Sequence, residues 1–195
     1  MTATPKAEFH LIVLAAGAST RFGSPKQLAQ VQGVPLLLQV LNRATAVAGH
    51  AVSVVLGAHA SEMVLALARS SAAIVLNRDW EEGMAASIRA GIRSMPGSCG
   101  GALLLLADQV SVTVGDLQRL VDTWRRNPRC VVAAQYSGQL GVPAMFPRGE
   151  FAALLALRGE HGARTVLRNP AKSVLGVPMP SAALDIDYPE DLPVH

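Results

Sequence analysis

Short, continuous apolar runs recur along the chain at Phe9 to Leu14, Ala51 to Leu56, Ala73 to Leu76, Ala102 to Leu106 and Cys130 to Ala134. Runs of this length, bounded by Gly, Pro and polar residues, predict strands buried on both faces of a sheet. The segments between them carry apolar residues at helical spacing. Pro35 opens one with Leu37, Leu38, Val40 and Leu41, and Ser61 to Ala68, Met84 to Ile92 and Val114 to Trp124 carry comparable stripes. This alternation predicts an α/β chain, a Rossmann-like three-layer sandwich with a mostly parallel central sheet. The rhythm breaks after Tyr136, where Gly138, Gly141, Pro143 and Pro147 punctuate a predicted hairpin. Two short helices and a late strand near Ser173 to Gly176 complete the pattern, and this second half carries insertions on the sheet.

The length of 195 residues suits one domain spanning 1–195, with a regular first half over 9–110 and a less regular second half over 111–195. Half the residues are apolar and only 16% are charged, which excludes a disordered chain. Aromatics make up 4%, so Ala, Leu and Val must fill the core. The net charge of +3 favours anionic ligands weakly, but no run of Lys and Arg forms a nucleic-acid stripe. Cys99 and Cys130 lack metal-ligand spacing and read as reduced thiols, with no structural zinc. Residues 1–10 lack an apolar signal core, and Ala102 to Ala107 is far too short to span a bilayer. A cytoplasmic protein with no nucleic-acid or membrane partner is the expectation.

The strongest local signal follows the first predicted strand: Leu14-Ala15-Ala16-Gly17-Ala18-Ser19-Thr20-Arg21-Phe22-Gly23-Ser24-Pro25-Lys26. In an open parallel sheet, ligands bind beyond the carboxyl ends of the strands, where small residues let backbone amides approach phosphate oxygens. Arg21 forks onto a phosphate and Lys26 supplies a compact charge, so the pair suits a triphosphate and a departing pyrophosphate. Read on its glycines alone, the segment is equally a strand-to-helix loop with two solvated cations. A dinucleotide fingerprint needs other glycine spacings, and a P-loop needs Gly-Lys-Ser/Thr; the loop has neither.

This loop resembles the signature of the molybdenum cofactor cytidylyltransferases and related MobA-like NTP transferases, with Phe22 in place of the family's Met. The resemblance implies the nucleotide-diphospho-sugar transferase type of sandwich, with Leu14, Ala15, Ala16, Gly17, Arg21, Gly23 and Lys26 around the triphosphate. The Ala-Ala-Gly form is similar to the cytidylyl-transferring branch, whereas a further Gly is more usual in the guanylyl-transferring one.

Three further groups extend the likeness. The segment from Trp80 to Ser87 resembles the family's Trp-x-x-Gly-Met-x-x-Ser, which implies Gly83, Met84 and Ser87 near base or ribose; the plainer reading is a helix start. Asp108 ends the strand Ala102 to Leu106 and therefore projects at the same sheet edge as the loop. A hard oxygen donor there holds Mg²⁺ against the α-phosphate, although Asp in that position also caps helices. Ala107 and Val110 replace the Gly and Pro of the family's Gly-Asp-Gln-Pro. Near the C-terminus, Asp185-Ile186-Asp187 resembles the family's Asp-Ile-Asp. Alternation along an extended segment puts both carboxylates on one side, with Asp187 favoured as second metal ligand and Asp185 beside it; the competing reading has Asp187 capping the last helix.

Two elements resemble acceptor-binding motifs. Gly141-Val142-Pro143 matches Gly-His/Asn-Pro with the polar side chain lost, and Glu160-His161-Gly162-Ala163-Arg164 matches Asp-x-Gly-Ala-Arg with a longer acid. Gly141, Pro143, Glu160, Gly162 and Arg164 are therefore acceptor candidates, against the plainer reading of a surface turn with a solvated Arg. His10, His50, His59 and His195 stand singly and read as structural or solvated.

The resemblance implies transfer of CMP from CTP to the phosphate of molybdopterin-bound molybdenum, with Lys26, Arg21 and Asp108 catalytic and Mg²⁺ as cofactor, Mn²⁺ being the alternative ion. A molybdoenzyme or its chaperone is the implied recipient. The alternatives are GTP as donor, another phosphorylated metabolite as acceptor, or a non-catalytic cofactor-carrying protein. A dehydrogenase would require the missing dinucleotide fingerprint.

Overall fold

A computed structural model describes residues 9–169, 173–186 and 188–191. The first strand, β1 (Phe9–Ala15), is buried along its whole length. A small ribbon, β2 (Gln30–Val31) with β3 (Val34–Pro35), leads into α1 (Leu36–Ala48). The βα repeats continue with β4 (Val52–Leu56), α2 (Ala60–Ala66), β5 (Ala73–Leu76), α3 (Met84–Ser94), β6 (Gly101–Leu106) and α4 (Val114–Arg126). The remainder comprises β7 (Val131–Tyr136), β8 (Gln139–Pro147), α5 (Phe151–Leu155), α6 (Arg164–Leu167) and β9 (Val174–Pro178).

Seven strands form one sheet in the order β5-β4-β1-β6-β8-β7-β9. The β5-β4-β1-β6 portion is parallel, as the alternation of strand and helix dictates. The predicted hairpin exists: β7 and β8 join through Ser137 and Gly138, both at positive φ, the geometry that two-residue hairpin turns require. Its order in the sheet reverses the chain order. The later strand, β8, wedges antiparallel between β6 and β7, while β7 pairs with β9 in parallel. The sheet is thus mostly parallel with one antiparallel insertion.

Apolar residues pack on both faces. Leu37, Val40 and Leu41 of α1 and Leu117, Leu120 and Trp124 of α4 cover one face; Ile88 of α3, Leu154 of α5 and Val166 of α6 cover the other. One strand departs from the expectation of burial. As the sheet's edge, β5 has a single strand neighbour, and its Ile74 and Leu76 are exposed. Among the described residues no helix is long and apolar enough to cross a membrane.

Register positions the site. Leu14 of β1 stands opposite both Val55 of β4 and Leu106 of β6, and Leu56 stands opposite Leu76 of β5. The parallel strands therefore end level. The loops after β1, β5 and β6 emerge at one edge, the carboxyl edge, where ligands of open α/β sheets bind.

Candidate active site

A cleft of about 430 Å³ lies at that edge. Its walls are the loop after β1 from Leu14 to Arg21 with Lys26 and Gln27; Trp80, Glu81, Gly83, Met84 and Ser87 around the start of α3; Leu106 to Asp108 after β6; and Glu160.

The loop's shape has a local cause. Ser19 adopts positive φ, and its carbonyl accepts from Phe22 N at 3.0 Å, closing a tight turn. Gln27 lies beneath this turn, 3% exposed, and donates from Nε2 to Gly17 O at 3.2 Å while its Oε1 accepts from Ser19 Oγ at 3.1 Å. One buried amide thus satisfies the loop's inner polar groups and leaves Gly17, Thr20 and Arg21 outermost and exposed. Lys26 then opens a one-turn 3-10 helix, Lys26–Leu28.

Lys26 Nζ donates to Asp108 Oδ2 at 2.7 Å and to Ile186 O at 2.7 Å. The ammonium therefore sits where the first loop, the end of β6 and the C-terminal segment meet. Asp108 Oδ1 is buried with no hydrogen-bond partner among the described residues. The turn bearing Asp108 is braced on both sides: Arg43 of α1 donates to Val110 O, and Gln109, 1% exposed, donates to Val142 O at 2.9 Å and Ala182 O at 3.2 Å.

On the opposite wall, Asn77 follows β5, donates to Ser87 Oγ at 3.1 Å and accepts from Asp79 N at 3.1 Å. This fold-back carries the one-turn helix Trp80–Glu82 and delivers Gly83 at φ +110. A Cβ on Gly83 would stand 2.7 Å from Glu160 Oε1 and 2.8 Å from Gly159 O, so only glycine fits. Gly57 serves the other side: a Cβ there would lie 2.5 Å from Trp80 Cβ and 2.8 Å from Ala16 O.

Arg89 of α3, 8% exposed, pairs with Glu82 through both guanidinium nitrogens and donates to Leu157 O at 2.9 Å. Glu82 Oε1 also accepts from Gly159 N at 3.3 Å. The hydrogen bond from Arg89, more than any other influence, holds the Glu82 carboxyl below its usual range, and the same pairing raises Arg89.

The structure thus gathers Leu14, Ala15, Ala16, Gly17, Arg21, Lys26, Gly83, Met84, Ser87, Asp108 and Glu160 into one cleft. Gly23 belongs to the same loop at positive φ but does not line it. Glu160, grouped by motif with the acceptor candidates, faces Gly83 on the wall shared with Ser87. Gly162 packs behind Met84, and Arg164 on α6 is exposed outside the lining. Gly141 and Pro143 also stand outside it: both are buried in β8, Gly141 against the Tyr136 hydroxyl and Pro143 after a cis peptide bond.

Asp185 is exposed and does not line the cleft, because the neighbouring buried residue is Ile186 and extended backbone alternates in facing. Asp187 lies outside the described residues. Among those described, no group of three or more His, Cys, Asp or Glu side chains converges. Gln27, Arg89 and Gln109 escape sequence reasoning altogether. A polar side chain recurring beside each motif is the only hint available, and it does not distinguish a brace from a solvated neighbour.

Comparison with known proteins agrees with this arrangement. Residues 11–174 match the family model of the MobA-like NTP transferase domain. The chain is 31% identical over 167 residues to the nicotine blue oxidoreductase of Paenarthrobacter nicotinovorans, covering 80% of each. It superposes on Rv0371c from Mycobacterium tuberculosis H37Rv with a TM-score of 0.83 at 27% identity, covering 95% of this chain and 96% of that one. A structure of Rv0371c in complex with manganese superposes with a TM-score of 0.80 at 26% identity over 95% and 96% of the two chains. The chain belongs to the MobA-like NTP transferase domain family and is a nucleotidyltransferase.

Proposed function

We propose that the protein transfers CMP from CTP to the terminal phosphate of a molybdopterin-type cofactor, releasing pyrophosphate. The observation that carries the reading is the Lys26–Asp108 pair at 2.7 Å, standing where the glycine-rich loop and the end of β6 meet. A phosphate oxygen of the acceptor forms a bond to the α-phosphorus of CTP, the bond to the bridging oxygen breaks, and pyrophosphate departs. The acceptor is already ionised and needs no general base, so catalysis consists of alignment and neutralisation of charge.

Lys26 and Arg21 face the phosphates, while the loop's backbone and the start of α3 supply N–H donors. The residues fit a divalent cation: Asp108 is a hard oxygen donor whose Oδ1 is buried and has no hydrogen-bond partner among the described residues. Asp108 would hold Mg²⁺ or Mn²⁺, with Asp187 as the second candidate ligand, and the ion would neutralise charge on the α-phosphate. The manganese complex of Rv0371c supports a divalent ion in this fold. Gly83, Met84 and Ser87 take the nucleoside side. The acceptor side rests on motif likeness alone for Gly141, Pro143, Gly162 and Arg164, which stand outside the cleft lining, with a cytoplasmic molybdoenzyme or its chaperone receiving the product.

A second reading rests on the relative named an oxidoreductase. In it the same cleft serves a redox reaction instead of nucleotidyl transfer, although the chain lacks a dinucleotide fingerprint. One assay separates the two: pyrophosphate release from CTP, GTP, ATP and UTP with Mg²⁺, with and without purified molybdenum cofactor, beside NADH and NADPH oxidation. Cofactor-dependent release from CTP supports the transferase. Release from another nucleotide reassigns the donor, and reduced-dinucleotide oxidation without pyrophosphate release overturns the reading.

A further inference from the structure

The wall opposite the cations is held by two side chains that do not line the cleft. Arg89 bridges Glu82 and Leu157 O, Glu82 takes the Gly159 N–H, and Gly159 O accepts from Ala85 N at 3.1 Å. These bonds tie residues 157–160 to the first turn of α3 from both directions. Glu160 follows directly, its carboxylate pressed against Gly83 with no room for a Cβ between them. The cleft runs from Lys26 and Asp108 to this wall. Phosphates gather at the cations, so the nucleoside faces Glu160.

We infer that Arg89 and Glu82 form a strut that fixes Glu160 over Gly83, making Glu160 a specificity-determining group for a nucleobase edge that donates a hydrogen bond. The inference rests on the transferase site proposed above. An ionised carboxylate accepts and cannot donate. The exocyclic amino group of cytosine satisfies it, whereas the carbonyl in the same place on uracil sets lone pairs against lone pairs. Glu160 is exposed at the rim of the cleft, so this mismatch sets a preference on the order of tenfold rather than a strict exclusion. Arg89 and Glu82 are positioning residues: the planar fork of Arg89 grips both Glu82 carboxylate oxygens while also reaching the Leu157 carbonyl, a two-pronged geometry that the compact ammonium of a lysine does not reproduce.

The test titrates Mg²⁺-CTP and Mg²⁺-UTP into the full chain, following the fluorescence of Trp80 in the cleft wall, with the melting temperature as a check on the fold. The variants are Glu82→Gln, Arg89→Lys and Glu160→Gln; Glu82 is partly exposed, so its variant tests the strut even if the Arg89 variant unfolds. The wild type is expected to bind CTP about tenfold more tightly than UTP, and each variant to narrow that ratio to about twofold, chiefly by losing CTP affinity. Equal weakening of both nucleotides, or an unchanged ratio, overturns the inference and leaves the transferase reading intact. A wild type that binds neither pyrimidine nucleotide overturns the transferase reading and the inference with it.

Discussion

Lys26 Nζ and Asp108 Oδ2 meet at 2.7 Å although 82 positions separate them in the chain. Two level parallel strands, β1 and β6, deliver their following loops to the same edge, and the loop after β1 carries Lys26 back to Asp108 there. If the pair neutralises and aligns phosphates, Lys26→Ala and Asp108→Ala should each lower turnover by about 10²- to 10³-fold, the scale for removing one preorganised charge contact. Circular dichroism and the melting temperature should change little, because both side chains are partly exposed. Unchanged initial rates in either variant would remove that residue from the mechanism.

Asp108→Asn separates the carboxylate's two duties. The amide keeps the shape but gives up the anionic oxygen that suits a hard cation. The Mg²⁺ concentration for half-maximal turnover should rise steeply, and saturating Mn²⁺ should restore part of the rate. A metal titration superimposable on the wild type would place the ion elsewhere.

Gln27 is the loop's internal brace. Gln27→Leu removes the hydrogen bonds to the Gly17 carbonyl and the Ser19 hydroxyl, each worth about 0.5–1.5 kcal/mol. The nucleotide KM should rise severalfold with a smaller effect on kcat. Steady-state kinetics showing the reverse split would mean that the loop's shape is set without this side chain.

Gly57→Ala tests the close approach of two walls. The new methyl would meet Trp80 and the Ala16 carbonyl at under 3 Å, and overpacking of this kind costs about 1–3 kcal/mol. Chemical denaturation should show the loss, and nucleotide affinity should fall with it. A variant as stable as the parent would show that Trp80 moves freely.

His10 supplies the pH prediction. Burial holds the imidazole pKa below its ordinary 6.5, and Nε2 is buried without a partner among the described residues, as suits a neutral ring. The unfolded chain therefore takes up this proton first. The contribution is absent above about pH 7, and stability falls as pH drops through 6.5 toward the lower folded value. His10→Leu should flatten that part of the stability curve; an unaltered slope in urea denaturation between pH 7 and 5 would assign it to other groups.

The glycine-rich loop and Asp108 were legible because strand, loop and charge are adjacent in sequence. The alternation of runs and stripes likewise predicted the order of the main elements through β6, but not the two-residue strands of the β2–β3 ribbon. Burial of β5 was misjudged since Ile74 and Leu76 are apolar whether a strand is central or at the edge, and only pairing decides. The place of Glu160 depends on Arg89 reaching Leu157 across 68 positions, a contact no local spacing encodes. Gln27 and Gln109 were invisible for the same reason: an amide that braces a loop and one that faces water look alike in sequence.

The central claim is tested most directly with CTP labelled at its α-phosphate, incubated with Mg²⁺ and purified molybdenum cofactor. The account predicts that label moves to the acceptor in step with pyrophosphate release, and that Lys26→Ala abolishes both. Label that stays in the nucleotide while the protein demonstrably binds CTP and acceptor would contradict it.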